Sequence, residues 1–446
     1  MIAYRTICAA VLAALLSALP AAAAPPRKVA VARQDNVLVR DHPSPHAHII
    51  AVLVQQTQVD VLKRANGWDR VRIWGSLSGW VRASQIVYRK LWDTTDHYQA
   101  PQIHYRVHAS AAQPLAVRGV VTAPINVGTS LIRAGTIVPV SAWRQTASGI
   151  VQYRVNGSWV AGSAIRFITP NPSTLKINGV PIWKPVQGKG MWLTLGIAPS
   201  DPNSVAEAAA RDGITHLYIE SAISPLGFHG KGSVGPFIDA AHRYHIAVLA
   251  WVYPYLYDIA SDVALTRQAA AFRSTTGQRF DGIAADLERN MSPAPIRAYS
   301  QLVRAELGPN YLLVGVTYPP QSLPTYPFSE VARQFNVIAP MDYWHQTRTA
   351  YGLDYNHMRY GYMYGYRYAQ DSIARIRAAA GNAVISPIGQ TFDDFGRLEM
   401  GPHAPSSAEV HGFLAGSKAA GAIGASFFQW LTTDWAEWQM IKSFRF

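Results

Sequence analysis

The sequence predicts a multidomain chain in which two small all-β barrels precede an α/β domain of the (β/α)8 barrel class. Three observations lead there. Between Val29 and about Val87 the chain runs in short stretches of period-two alternation separated by turn residues. A degenerate echo of the same phrases follows between Ala134 and Ile165. From Gly190 to Phe446, about 257 residues, eight strand-like runs alternate with amphipathic helices, which suits a (β/α)8 barrel in count and in length.

Residues 1–24 read as a signal peptide. Arg5 supplies a positive start, Ile7 to Leu19 is a short apolar run, and Ala21 to Ala24 gives an A-x-A cleavage site before Pro25-Pro26. The run is short for a membrane span, so no stable span is expected after cleavage; an uncleaved anchor is the alternative. The single cysteine, Cys8, falls inside this segment. A mature chain without it has no disulfide, no thiolate nucleophile and no Cys-ligated zinc, and the expected location is secreted or periplasmic, at the cell envelope. Formal net charge is +13, of which Arg5 accounts for one. Lys and Arg are scattered, with no helix-turn-helix, zinc-finger or RNP pattern, so no nucleic-acid partner is expected and acidic envelope polymers are the natural counterpart. The 13 Trp and 22 Tyr suit carbohydrate faces, though large cores use aromatics too. H-E-x-x-H, G-x-x-x-x-G-K-[ST] and G-x-S-x-G are missing, and no metal, no cofactor and no serine nucleophile are expected.

The first barrel is assigned to residues 25–90. Its phrases are N-V-L-V-R (Asn36 to Arg40), T-Q-V-D-V (Thr57 to Val61), N-G-W-D-R-V-R-I (Asn66 to Ile73) and G-W-V-R-A-S-Q-I (Gly79 to Ile86). They resemble the bacterial SH3 domain, and the resemblance implies a small exported barrel that tethers an enzyme to the cell wall. The second, degenerate copy is assigned to residues 105–168. There A-G-T-I-V-P-V (Ala134 to Val140) echoes Gln55 to Val61, and Trp159 to Ile165 repeats the W-V-x-x-S-x-I of Trp80 to Ile86. Trp80 and Trp159 are read as core residues, with ligand stacking as the alternative. Residues 169–189 have linker composition in Thr169-Pro170-Asn171-Pro172-Ser173, with a hairpin expected between Leu175 and Val186.

The third domain is assigned to residues 190–446. Its strands are expected at Met191 to Gly196, His216 to Glu220, Ala247 to Tyr253, Gly282 to Asp286, Leu312 to Thr317, Val337 to Met341, Val384 to Gly389 and Ala425 to Gln429. Helices are expected at Ser204 to Asp212, Val263 to Ser274, Pro295 to Leu307, Asp371 to Ala380 and Ser407 to Ala419. Active sites of such barrels lie at the C-terminal strand ends. Those ends carry Glu220, Tyr253, Asp286 with Glu288, Tyr318, Asp342 with Tyr343, Gln390, and Gln429 with Trp430. Acids, amides and aromatics on one rim describe a sugar site. Asp286 and Glu288, two apart at a strand end, point to the same side, where each disfavours ionisation of the other. That is equipment for acid catalysis on a glycosidic bond, against the plainer reading of two solvated acids. The tract Tyr351 to Tyr368, with seven tyrosines, is read as lining a groove.

Three motifs make the resemblance of this domain specific. Asp281 to Glu288 (D-G-I-A-A-D-L-E) resembles the D-G-x-D-x-D-x-E strand of family 18 glycoside hydrolases, Asn336 to Tyr343 resembles that family's M-x-Y strand, and Gly424 to Trp430 its last strand. The D-x-E pair and the terminal Q-W also resemble family 25 lysozymes. The resemblance implies a TIM barrel with Glu288 as general acid, then base, Asp286 orienting the substrate's 2-acetamido group, Tyr343 hydrogen-bonding that group, and Trp430 flooring the subsite of the cleaved sugar. It also departs from the pattern: the family's middle aspartate is Ala284. Glu220 and Asp342 are the acids expected to compensate, Glu220 having a structural pair with an Arg as its alternative. The expected partner is polysaccharide or peptidoglycan, cleaved at a β-1,4 bond beside an N-acetylated sugar. The rivals are a non-catalytic polysaccharide- or wall-binding protein that retains the barrel, and an envelope scaffold that binds peptides through its SH3-like modules.

Overall fold

In a computed structural model, residues 28–33, 37–47, 49–53, 58–73, 77–90, 107–194, 201–224, 226–345, 361–392 and 405–446 are described. The expected signal peptide and residues 351–360 of the tyrosine tract lie outside them. The chain divides into two compact units, residues 1–99 and 100–446.

The first unit is antiparallel throughout. Strands β1 (Lys28–Ala32), β2 (Val37–Arg40), β3 (Ile49–Leu53), β4 (Gln58–Ala65), β5 (Trp68–Ile73), β6 (Leu77–Arg82) and β7 (Ile86–Lys90) form one sheet in the order β3-β2-β6-β5-β4-β1-β7. The alternation seen in the sequence sorts the faces: Val37, Val39, Val59, Val71, Val81 and Ile86 make the core. Asn66 (φ 50°) and Gly67 (φ 77°) form the β4–β5 turn, where positive φ at both central residues matches the strand twist. Trp80 does not join that core. It is half-buried and points the other way from fully buried Val81.

The second unit begins with β8 (Gln113–Val121), a ribbon of β9 (Ile125–Val127) and β10 (Ser130–Ile132), then β11 (Ile137–Gln145), β12 (Val151–Val155), β13 (Ser158–Ala161) and β14 (Ile165–Phe167). Five of these form a sheet ordered β13-β12-β11-β8-β14. Its Val138, Val140, Trp143, Tyr153, Val155 and Ile165 run into one apolar core with the helices that follow. Trp159, like Trp80, stays half-buried. Polar ties reinforce the join: Phe167 N donates to Gln301 Oε1 (2.7 Å), and Arg166 and Arg297 both reach Glu330 (2.9 and 2.8 Å).

The remainder is an eight-stranded parallel barrel. Its strands are β17 (Gly188–Leu193), β18 (His216–Ile223), β20 (Ala247–Tyr253), β21 (Gly282–Asp286), β22 (Leu312–Thr317), β23 (Val337–Asp342), β24 (Ile388–Gln390) and β25 (Gly424–Phe428). Short β19 (Gly227–Phe228) folds back on β18. β17 pairs with β18 on one side and β25 on the other, which closes the barrel. At Gly190 any side chain would overlap the buried His216 imidazole. Before β17, the hairpin β15 (Lys176–Ile177) and β16 (Val180–Pro181) turns at Asn178-Gly179. Beyond it, Ile182 and Val186 are buried against Trp192, Tyr218, Leu249, Leu312 and Val337. Leu312 and Val337 open their strands, so this segment stoppers the barrel's N-terminal mouth.

The helices are α1 (Pro202–Arg211), α2 (Val234–Arg243), α3 (Ile259–Ala271), α4 (Pro293–Leu307), α5 (Phe328–Ala332), α6 (Tyr362–Ala380), α7 (Ser407–Ala419) and α8 (Trp435–Ser443). α7 begins where its Ser406–Glu409 capping box dictates. α3 starts four residues earlier than the sequence predicts because Asp258 caps it, accepting from Ser261 N. α6 starts nine residues earlier and absorbs the second half of the tyrosine tract. Tyr368 is core and Tyr364 donates to Trp344 O (2.8 Å), so these two rings serve packing and not a groove. α6 crosses α7 at glycines: a methyl at Gly412 or Gly416 would overlap the Tyr362 or Tyr366 carbonyl. Among the described residues no helix is long and apolar enough to cross a membrane.

One loop matters for the rim. After β20 the chain turns through Leu256 at φ 61°, a left-handed conformation costly for a branched side chain. Buried Asp262 holds it, accepting from Leu256 N (2.8 Å) and from Ser224, while Asn290 donates to Leu256 O (3.0 Å). Burial, aided by nearby Asp258, carries the Asp262 carboxyl up to about 7 against those hydrogen bonds.

Two predictions follow from this packing. Gly412→Ala is expected to cost about 1–3 kcal/mol through overpacking, read as a lower thermal or denaturant midpoint with unchanged m-value. From about pH 4 to pH 7 the folded chain keeps a proton on Asp262 that the unfolded chain has released. Its contribution to stability therefore falls as pH rises through that window and levels off above it. Melting temperatures of Asp262→Asn should accordingly depend less on pH between 4 and 7 than those of the wild type.

Candidate active site

The candidate site is built on β21, which is buried along its whole length between β20 and β22. Leu287 continues the ladder, donating to Val316 O (3.1 Å), and Tyr326 pins the exit by donating to Leu287 O (2.8 Å). Asp286 ends the strand and is 3% exposed; Glu288, two residues on, is half-buried beside it.

Their surroundings differ. Asp286 Oδ2 accepts from the indole of Trp251 (3.0 Å), while Oδ1 has no hydrogen-bond partner among the described residues. Burial lifts the Asp286 carboxyl well above the ordinary carboxylate range, and the neighbouring Glu288 adds to it; Trp251 and Arg289 oppose. Burial raises Glu288 as well, against hydrogen bonds from Tyr253 and Tyr318 and the charge of Arg289. Arg289 lies over the rings of Tyr255 (4.9 Å), on the loop that Asp262 holds, and Tyr253 (5.7 Å), which ends β20. Tyr343 is raised by burial first and then by the charges of Asp286 and Glu288, so its hydroxyl keeps its proton.

A wall of rings adjoins the acids. Trp251 meets Trp192 edge-on (5.2 Å) and Phe428 (5.9 Å); Phe428 meets Tyr343 (6.1 Å) and Phe392 (5.9 Å). Such a wall makes the surroundings of the acids apolar.

Of the residues expected at the rim, Asp286, Glu288, Tyr253, Tyr318 and Tyr343 come together. Asp342 does not. Strand alternation turns Met341 and Tyr343 into the barrel and Asp342 outward, where its buried carboxyl accepts from Ser372 of α6 (2.7 Å). It is therefore no second acid for this site. Glu220 lies half-buried in the second half of β18, 3.5 Å from His229, with no arginine partner among the described residues. Gln390 is spent on structure, accepting from His345 N (3.1 Å) and donating to Phe392 O (3.0 Å). Gln429 accepts from Thr194 (3.3 Å). Trp430, expected to floor the subsite of the cleaved sugar, packs its ring on Trp438 of α8 (5.0 Å), and Phe428 lies beside Tyr343 (6.1 Å).

Sequence reasoning missed Trp251, Phe428 and Phe392. Trp251 sits in register with Ala284 across the β20–β21 ladder, so the indole that holds Asp286 is the lateral neighbour of the position where the family pattern has an acid. Its signal was available: Trp251 lies two before Tyr253 and shares its face.

No known family matches the sequence, and no curated protein matches it. Several solved structures resemble the chain over its barrel. The spore cortex-lytic enzyme SleL of Bacillus cereus is 12% identical, with 58% of this chain and 74% of that one covered, at a TM-score of 0.42. Chitinase RmChi1 of Rhizomucor miehei is 13% identical over 58% of this chain and 100% of that one, at 0.42. A family 18 N-acetylglucosaminidase of Paenibacillus barengoltzii is 13% identical over 57% and 99%, at 0.40.

Proposed function

We propose that this chain is an exported glycoside hydrolase that cleaves a β-1,4 bond beside an N-acetylated sugar in peptidoglycan or a related polysaccharide. The observation that carries the reading is the pair at the end of β21: a buried and a half-buried acid, both with raised pKa values, the first having one oxygen held by an indole and one without a partner among the described residues. In this reading Glu288, whose carboxyl pKa burial raises, gives its proton to the leaving oxygen and later deprotonates water. The acetamido oxygen of the substrate attacks the anomeric carbon as the glycosidic bond breaks. Oδ1 of Asp286 accepts the acetamido N–H and stabilises the cyclic cation, and Tyr343 donates to the same group. Phe428 and Trp251 take the packing role first expected of Trp430. Residues 25–90 and 105–168 act as SH3-like modules that tether the barrel to the envelope; the sequence phrases and the antiparallel sheets support this.

A binding protein without turnover is the second reading, and Ala284 favours it. That residue is fully buried in the barrel interior, so no acid stands where the family pattern puts one to manage the charge on Asp286.

The test is incubation of the protein with purified peptidoglycan and with N-acetylglucosamine oligomers, reading new reducing ends by mass spectrometry. Glu288→Gln is expected to lower the rate by about 10²- to 10⁴-fold with folding intact; undiminished release by that variant would sink the hydrolase reading. Polymer sedimenting with both proteins at equal affinity, without products, would establish the binding protein.

Two further outcomes are expected of a hydrolase. The rate should fall with rising pH as Glu288 loses its proton, with the midpoint above the ordinary glutamate range because burial raises that group. Trp251→Phe removes the donor to Asp286 Oδ2 and should lower kcat with little change in KM, measured on a soluble oligomer.

A further inference from the structure

The two antiparallel sheets share a feature outside the barrel site. In the first unit, strand pairing sets Arg40 of β2 beside Trp80 of β6, Trp80 beside Arg70 of β5, and Arg70 beside Lys63 of β4. Directly paired residues project from the same face. One row along, Ser78 pairs with Arg72, which pairs with Asp60; on the other flank Arg82 pairs with Trp68 and stacks on its ring at 4.4 Å. Arg70, Arg72, Arg82 and Lys63 are exposed, whereas Val71, Val81 and Asp69 on the opposite face are buried. Arg64 is neutralised by a bidentate pair with Asp69 and does not belong to the set.

The second sheet repeats the centre of this pattern. Trp159 corresponds to Trp80 in the repeated W-V-x-x-S-x-I phrase. It pairs with Arg154, as Trp80 pairs with Arg70. Arg154 is exposed, and Arg144 stacks on the Trp159 ring at 4.3 Å while donating to Gln152 (2.9 Å). The two copies differ at most other positions, yet both keep an exposed arginine beside a half-buried tryptophan on the solvent face.

We propose that these Trp–Arg faces are binding surfaces for a carboxylate-bearing polysaccharide, its acids taken by the arginines and its rings set against the exposed edges of the indoles. The inference rests on the reading of the two sheets as tethering modules and specifies their ligand. A guanidinium presents a planar fork that matches a carboxylate, and one stacked on indole is already oriented for it. On the first face Arg40, Lys63, Arg70 and Arg82 carry positive charge. A polyol phosphate would leave the tryptophans unused. A nucleic-acid base needs an open ring face to stack on, and the Trp159 face is occupied by Arg144.

The experiment is equilibrium binding of the full chain to soluble polygalacturonate, in a Glu288→Gln background so that turnover by the barrel cannot affect the readout. Neutral N-acetylglucosamine oligomers, polyphosphate and single-stranded DNA are compared at the same ionic strength. Polygalacturonate is expected to bind most tightly, with affinity falling as salt rises. Arg70→Glu with Arg154→Glu should weaken it roughly tenfold or more. Arg70→Lys with Arg154→Lys keeps the charge without the fork and should lose a smaller part; it also decides the matter if the reversed variant does not fold by circular dichroism. Absence of wild-type binding, unchanged affinity in the folded variants, or equal affinity for polyphosphate or DNA would each overturn the proposal.

Discussion

Closure of the barrel by a single strand is the constraint on which the rest of this molecule depends. β17 hydrogen-bonds to β18 and to β25 at once, and it can do so only because Gly188 and Gly190 leave room for their neighbours. Once closed, a parallel barrel has two unlike ends and a dry interior that side chains must fill. Trp192, on that closing strand, stacks on Tyr218 (4.1 Å) and braces Trp251, which in turn holds Asp286. A direct chain of contacts thus runs from the closing strand to the carboxylate.

Burial then does most of the electrostatic work. Asp286 and Glu288 are both raised chiefly by loss of water, and their mutual repulsion is a secondary contribution to Asp286. Two acids in such a place titrate as a pair, with a proton retained between them to higher pH than either would hold alone. The hydroxyls of Tyr253 and Tyr318 fall on Glu288 and the indole on Asp286, so the two acids are made chemically unequal by their neighbours.

Much of this was legible in the amino-acid order. Buried parallel strands are continuous apolar runs, and Gly282–Asp286, Leu312–Thr317 and Ala247–Tyr253 appear where such runs stand. The acidic pair was legible because its two residues are neighbours in sequence. What escaped was set by contacts between distant strands: Trp251 is known as the partner of Asp286 only once β20 and β21 are in register. Asp342 was misread because a strand end offers two faces, and the side chain there points to Ser372 in the helix layer. Phe428 escaped for a related reason: it, and not Trp430, turns toward Tyr343.

The stopper below the barrel bears on where this chain can be cut. Ile182 and Val186 fill the N-terminal mouth from a stretch that reads as connector, and the five-stranded sheet before it shares the apolar core of α3 and α4. A fragment starting at Gly188 would hold every strand of the barrel and still lie open at its base. The smallest portable piece of this protein is accordingly longer than its barrel: a gene fusion or domain exchange that respects strand boundaries alone would uncork it, and one that carries residues 107–446 together would not.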